Sequence, residues 1–416
     1  MTKASCIAVV DAGGDDWTAG GQVSRMMARS ISACAAASDR SVLFVSRRVQ
    51  AGDATLTELG IEVVDLAPSS AKSGQSRSWG ESRSATDRKI RRALSLPDAI
   101  DPLAYLRTRK PDAVLPLMSA PLRPRLAGSV GWIADFQHRA MPEFFSAAER
   151  ADRDRTYAKV AARCHVVLVS SDAMAEQFRA IYPMQSSKLR VLPFPSALAF
   201  ATAASDASGD ANGDANTDAD AVRSLYHLPP RFVLVANQFW QHKNHGLVVD
   251  AVAEASNAGV AIPVVMTGLP ADNRDPANRY VSDLLQRIAK AGLSGQVIVL
   301  GQVPYAHFIA LMRSASLLLQ PSRYEGWNTS IEDAKALGTP LLCSDIPVHR
   351  EQAAEFGACF FDVESAGSLA KMLQSMWASA QAPSPKATQA AQERARERTE
   401  IYGVGLLDAC DTAASI

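Results

Sequence analysis

The chain has 416 residues, 47% of them hydrophobic and 21% charged, with 43 Lys and Arg balanced by 43 Asp and Glu. That length predicts two domains rather than one core, and the composition excludes a disordered chain. The charge balance excludes a global nucleic-acid footprint, and no nucleic-acid partner is expected. Cys6, Cys34, Cys164, Cys343, Cys359 and Cys410 are scattered without a CxxC or zinc-type spacing, which predicts reduced thiols in a cytoplasmic protein. The opening apolar run stops too soon for a signal peptide, and no stretch approaches the ~18–20 uninterrupted apolar residues of a membrane span.

In chain order, "CIAVVDAGG" reads as a buried strand with a glycine-rich turn, and "GGQVSRMMARSISACAAA" as the helix after it. Short apolar runs recur at 41–46, 61–66, 112–117, 131–136 and 165–171, some separated by helix-like segments such as "EFFSAAERADRDRTYAKVAARC". Continuous rather than alternating apolar strands, spaced by helices, predict a parallel sheet covered on both faces, hence an α/β fold. Ser170 and Ser171, after "HVVLV", predict a helix cap or a cleft wall, the cap being preferred. The basic stretch 72–94, with seven cations against two acids, predicts a solvated loop or a surface facing anionic lipid or a diphosphate-linked acceptor, with peripheral membrane association.

Residues 201–221 carry five Asp, no cation and almost no large apolar side chain, predicting a solvated acidic linker. Its regularly spaced Asp residues lack the ligand order and terminal Glu of an EF-hand loop. The strand–helix pattern then restarts at "RFVLVANQFW" (231–240) and runs through "IPVVMTG", "GQVIVLG", "SLLLQ" and "PLLCSD". The expected domains are 1–197, a linker or insertion 198–228, a second domain 229–395, and a C-terminal helix 396–416 that crosses back to the first.

The stretch "QPSRYEGWNTSIEDAKALGTP" (320–340) breaks a buried strand at Pro321. In open parallel sheets ligands bind outside the carboxyl ends of strands, where loops meet helix N-termini. Thr329 and Glu332 read as a capping box, with Gly338 and Pro340 closing the helix. Glu325 has no such structural excuse. Gly326 beside it permits a close backbone approach, and free N–H groups at 327–330 suit phosphate oxygens or sugar hydroxyls. Asp333 stands about one turn into the helix, within reach of the same crevice.

The segment "EGWNTSIEDAKALGTPLLCSDIPVHREQ" resembles the donor-site signature of glycosyltransferase family 4 (glycosyltransferase group 1). These are retaining enzymes of the GT-B fold, in which two Rossmann-like doubly wound domains face a central cleft. The resemblance covers about 229–365 strongly and the first domain weakly. It implies that Glu325 holds sugar hydroxyls near the reacting carbon and that Asp333, one methylene shorter than the family's Glu, binds the ribose. The backbone of Gly326, Trp327, Asn328 and Thr329 would meet sugar and diphosphate. Lys243 matches the lysine that neutralises the pyrophosphate. Gln238 stands where the family has an arginine, with Arg323 or His242 as stand-ins. Val303, in "GQVPYAHF", and Gly268, in "MTG", match the surroundings of the nucleobase, and Gly20 and Gly21 the glycine pair near the donor phosphates. The loop "WIADFQHRAMPEFF" resembles an acceptor-side loop whose histidine falls on Ala134, leaving Asp135 and His138, the latter a catalytic candidate.

The implied function is a retaining transfer of a hexose-type sugar from a nucleotide diphosphate donor to a hydroxyl of a carbohydrate or lipid-linked acceptor. No metal is expected, because "DRD" (152–154) lies in an amphipathic helix where residues two apart face different ways. The alternatives are a non-catalytic nucleotide-sugar-binding protein, or an epimerase or phosphorylase on the same fold.

Overall fold

The computed structural model describes residues 5–13, 18–35, 40–47, 53–66, 102–119, 128–200, 218–272, 274, 275 and 277–416. The basic stretch 72–94 and residues 201–217 of the acidic segment lie outside them.

Valine- and leucine-rich runs form two parallel sheets. The first contains β1 (Cys6–Val10), β2 (Ser41–Ser46), β3 (Glu62–Asp65), β4 (Ala113–Leu117), β5 (Gly128–Trp132), β6 (Val166–Val169) and β7 (Leu189–Val191), in the order β3-β2-β1-β4-β5-β6-β7. The second contains β8 (Val233–Ala236), β9 (Val264–Thr267), β10 (Val297–Gly301), β11 (Leu317–Gln320), β12 (Leu341–Ser344) and β13 (Cys359–Phe361), in the order β10-β9-β8-β11-β12-β13. Every strand pair is parallel. In each sheet the order reverses beside the first strand of its domain, and such a switch point opens a crevice at the strands' carboxyl ends.

The helices that position the site are α1 (Thr18–Ala35), α2 (Ala147–Arg163), α3 (Asp172–Ile181), α4 (Ala219–Leu225), α5 (His245–Asn257), α6 (Thr329–Leu337) and α7 (Pro385–Ala414). The acidic segment does not stay loop throughout. Asp218 accepts the Asp220 N–H and caps α4, whose Val222 is buried, because an aspartate suits a helix start. Ser171 caps α3 by accepting the Met174 N–H at 3.1 Å, and Gly338 closes α6 at φ +77°.

The C-terminal helix begins at Pro385, earlier than residue 396, because Pro suits the first helical position and Ser384 caps it. It serves both domains. Ala395 joins the core of the second domain, while Tyr402, Leu406, Cys410 and Ala413 complete the core of the first. Gly403 makes the crossing with α1 close: a Cβ there would stand 2.5 Å from the Ser30 carbonyl oxygen. Arg40 grips Asp411 through two bonds of 2.8 Å. Among the described residues, no helix is long and apolar enough to cross a membrane.

One expectation fails at the start of α6. The cap is Asn328, whose Oδ1 accepts the Ile331 N–H at 3.1 Å, and Glu332 forms no capping box. Glu332 is 1% exposed and accepts from Lys335 Nζ at 2.8 Å, from Gln352 Nε2 at 2.9 Å and from the Arg398 guanidinium of α7. A glutamate on the inner face of α6 meets cations rather than the helix's own amide, and so ties α6 to α7. Removing it strands Lys335 and Arg398 in a desolvated place, so Glu332→Ala is expected to cost about 3–5 kcal/mol, measured by denaturant unfolding.

Candidate active site

A cavity of about 460 Å³ opens between the carboxyl ends of the two sheets, a size suited to a small polar ligand. The second domain contributes the ends of β8 and β9, the turn before α5, and the loop from β11 to α6. The first domain contributes Gln22 and Val23 of α1, Trp132 and the loop after it, and Phe194.

Glu325 lines it. Lys243 Nζ donates to Glu325 Oε1 at 2.6 Å and Asn328 Nδ2 donates to the same oxygen at 3.1 Å. The two charged side chains are only 14% and 10% exposed. Asn328 is fixed in turn. Its Nδ2 reaches Gln320 Oε1 at 3.2 Å, its backbone N–H donates to Gln352 Oε1 at 3.2 Å, and its carbonyl accepts Gln352 Nε2 at 2.7 Å. The Asn328 N–H is therefore taken by protein and is not free for a phosphate.

The loop 321–328 also clasps the first domain. Tyr324 Oη accepts the Phe136 N–H at 3.0 Å and reaches Gln177 Oε1 at 3.2 Å. Trp327 Nε1 donates to the Phe194 carbonyl at 2.9 Å, its ring edge-on to Phe194. The Gly326 carbonyl accepts Ser171 Oγ at 3.1 Å. A Cβ on Gly326 would lie 1.9 Å from the Ala134 oxygen. The close approach expected at Gly326 exists, but its partner is the first domain's backbone rather than a ligand.

At one end of the cavity, Gln302, Val303, Tyr305 and Phe308 face Thr267 and Gly268. Gly268 adopts φ +153°, and a Cβ there would meet the Asn237 oxygen at 2.0 Å. Gln238 and Thr329 line the cavity as well, and Gln238 Oε1 finds no hydrogen-bond partner. Asp333 lies outside the lining, and Ser196 Oγ donates to it at 2.6 Å. Burial raises its pKa to about 6 against a smaller lowering by Ser196.

Four more expected residues lie elsewhere. His138 is 1% exposed and points away from the cavity. Its Nε2 is 2.9 Å from Asp154 Oδ1, and its ring packs edge-on against Tyr157 and Phe145. It braces α2 through Asp154 and Tyr157. Arg323 ion-pairs with Glu364 at 3.2 Å and is drawn away from the cavity by that carboxylate. Gly20 and Gly21 do not line the cavity but open α1 against the turn before it, where a Cβ on Gly13 would stand 2.8 Å from the Gly21 Cα. His242 does line the cavity. Burial first, then Lys243 and Arg274, hold its pKa well below the ordinary value, so its ring is neutral near pH 7 and supplies no cation. Among the described residues lining the cavity, Lys243 carries the positive charge, against Glu325 and Asp135. Asp152 and Asp154 bond different partners, Arg155 for one and His138 with Arg139 for the other. Among the described residues, no cluster of three His, Cys, Asp or Glu side chains could hold a metal ion.

Tyr324, Ser196 and Gln352 are site-shaping residues that sequence reasoning passed over. Tyr324 stood inside the loop already singled out, but neither Ser196 nor Gln352 carries a local signal.

Two Rossmann-like parallel sheets facing one cleft, crossed by a C-terminal helix, make this the GT-B fold of glycosyltransferases. Residues 219–398, which include the second domain, match the family described as glycosyl transferases group 1. The lipopolysaccharide core biosynthesis mannosyltransferase LpsB of Rhizobium meliloti (strain 1021) is 29% identical over 76 residues, 18% of this chain and 21% of that protein, so the match spans only about a fifth of that relative. The structure of Anabaena HepE in complex with UDP and glucose superimposes with a TM-score of 0.62 at 17% identity, covering 97% of each chain. A glycosyltransferase from Rickettsia africae superimposes with a TM-score of 0.60 at 12% identity, covering 98% of this chain and 96% of that one.

Two measurements test this geometry. Gly326→Ala should drive the Ala134 backbone aside at a cost of about 1–3 kcal/mol, seen as a lower melting midpoint and a larger radius of gyration in solution scattering. For Asp333, burial makes the folded state favour the protonated acid. The penalty on its charge is therefore full above about pH 6 and absent below the ordinary carboxylate range. Asp333→Asn should raise the melting midpoint at pH 8, and the gain should vanish as the pH falls towards 4.

Proposed function

We propose that the protein is a retaining glycosyltransferase that moves a hexose-type sugar from a nucleotide diphosphate donor to a hydroxyl of a carbohydrate or lipid-linked acceptor. The observation that carries this reading is the Lys243–Glu325 pair, 2.6 Å apart, in a cleft closed between two domains at the carboxyl ends of both sheets. The HepE structure, which holds UDP and glucose in the same fold, supports a nucleotide sugar as the donor class.

In this reading the base lies between Val303 and Gly268. The diphosphate reaches Lys243 and the amides at the start of α6, and the sugar lies against Glu325. The acceptor oxygen attacks the anomeric carbon from the face the diphosphate leaves. The bond from that carbon to the phosphate oxygen breaks, and the hydroxyl proton passes to the departing phosphate. Lys243 stabilises the charge as it develops, so that no metal takes part. When diphosphate displaces Glu325 from Lys243, the carboxylate is freed to accept sugar hydroxyls. Asp333 accepts ribose hydroxyls through a small shift from Ser196.

A second reading, a nucleotide-sugar-binding protein without turnover, is favoured by one feature. Gln238 brings an uncharged amide where the family has an arginine, leaving Lys243 to meet the diphosphate with no second cation among the described lining residues.

A thermal-shift titration with UDP, GDP, ADP and dTDP and their common sugars tests the assignment. One nucleotide should stabilise the protein saturably. Lys243→Ala should weaken that nucleotide roughly tenfold to a hundredfold, the loss of one charged contact. Stabilisation by none of them overturns the reading; binding without diphosphate release to any acceptor favours the second.

A further inference from the structure

The turn before α5 carries a titratable group that the transfer reading leaves unused. His242 is 4% exposed and lines the cavity. Its ring is tilted against Trp240 at 5.6 Å and, across the cleft, against Phe144 of the first domain at 6.4 Å. The Arg323 N–H pins its backbone, donating to the His242 carbonyl at 2.8 Å. Neither ring nitrogen bonds a described residue. Neither is sealed in the interior, in contrast to the Nε2 atoms of His245 and His349. A buried imidazole with both nitrogens unpaired is costly, so its presence at a cavity wall calls for a ligand.

Two cations act on this ring. Lys243 is the next residue. The Arg274 guanidinium lies 5.1 Å from the Trp240 ring and 5.3 Å from the Phe145 ring of the first domain. Burial first, then Lys243, Arg274 and His245, keep the imidazole neutral. His245 is neutral too, pushed to about 3 by burial and then Lys243. The carboxylates around the turn are engaged elsewhere. Glu325 accepts from Lys243 at 2.6 Å, Asp272 pairs with Arg274 at 2.8 Å, Glu149 accepts from Ser146 at 2.7 Å, and Asp135 accepts the Gln137 N–H at 2.9 Å.

We propose that His242 takes up a proton as the donor's diphosphate enters, and so becomes the second cation that Gln238 does not supply. This rests on the transferase reading above and adds how the same site is charged. A diphosphate offsets the repulsion from Lys243 and Arg274 and gives an imidazolium N–H an acceptor. One opposite charge within about 4–6 Å moves a pKa by roughly 1–3, and a diphosphate brings two. That carries the ring through neutral pH, where histidine is the side chain suited to change charge. The proton comes from solvent and returns there when the nucleoside diphosphate leaves. A fixed arginine at position 238 would add a third positive charge beside Lys243 and Arg274 at all times. The histidine is charged while the donor is bound, when the leaving group needs it.

Calorimetric titration of the full chain tests this, with UDP-glucose, GDP-mannose, ADP-glucose and dTDP-glucose as probes, in PIPES, HEPES and Tris buffers. A nucleotide sugar is used because its diphosphate, esterified at both ends, has no group of its own titrating near neutral pH. The dependence of the heat on the buffer's protonation enthalpy counts the protons. At pH 7 the probe that binds should bring with it roughly 0.5–1 proton. Its affinity should fall as pH rises, by up to about tenfold per pH unit. His242→Gln should abolish the uptake and flatten that pH dependence. Arg274→Gln removes one repelling cation and so raises the bound-state pKa of the ring. It should take up more of a proton at pH 8 than the unaltered protein. Should His242→Gln fail to fold, Arg274→Gln carries the test. The inference is overturned by binding without proton uptake, by uptake that survives His242→Gln, or by Arg274→Gln taking up no more at pH 8. A protein that binds none of the four probes fails at the earlier step and sinks the transferase reading itself.

Discussion

The short loop from Pro321 to Asn328 is the constraint on which the site depends. It must expose one carboxylate to a cavity while both flanks are held by another domain. Tyr324 and Trp327 carry out the holding, each hydrogen-bonded to main chain of the first domain. Glu325 points between them because Lys243 and Asn328 take its oxygen. The anchoring polar groups are desolvated and paired, which makes the arrangement specific rather than merely attractive. The cavity is thus less a hole left between two domains than the space that this loop props open.

That arrangement divides labour between the domains. The second supplies the cation, the carboxylate and the turn at Gly268. The first supplies the wall of Asp135 and Gln137 and the backbone that receives the loop. Glu351 adds a further tie, accepting the N–H of Asp172 at 2.7 Å at the start of α3, where a carboxylate is favoured by the helix dipole. Separating the domains would break these contacts together, so the closed form is cooperative.

Much of the fold was legible in the sequence because its signals are local. Continuous apolar runs such as "VVLV" mark parallel strands buried on both faces, and Gly338 before Pro340 marks a helix end. The loop at 320–328 declared itself by interrupting a buried strand. What escaped were pairings between residues far apart in the chain. Nothing near Glu332 indicates that Arg398 will reach it, so its spacing from Thr329 suggested a cap that Asn328 provides instead. His138 was a catalytic candidate set against a loop histidine satisfied by hydrogen bonds, and Asp154 of α2 claims its ring. Gly326 shows the subtler failure. The need for a residue without a side chain was visible, whereas what would press against it was not, since ligand and backbone impose the same demand.

The C-terminal helix has a consequence for how the chain reaches this state. Tyr402, Leu406, Cys410 and Ala413 fill the core beneath the first sheet, yet the ribosome makes them only after the whole second domain. Domains usually fold in order as they emerge, but here the leading one waits with an apolar face uncovered until the helix arrives. The last turns of α7 therefore act as a late keystone. Both halves are locked in one closing event, and the chain's vulnerable interval falls during synthesis, before the cleft exists.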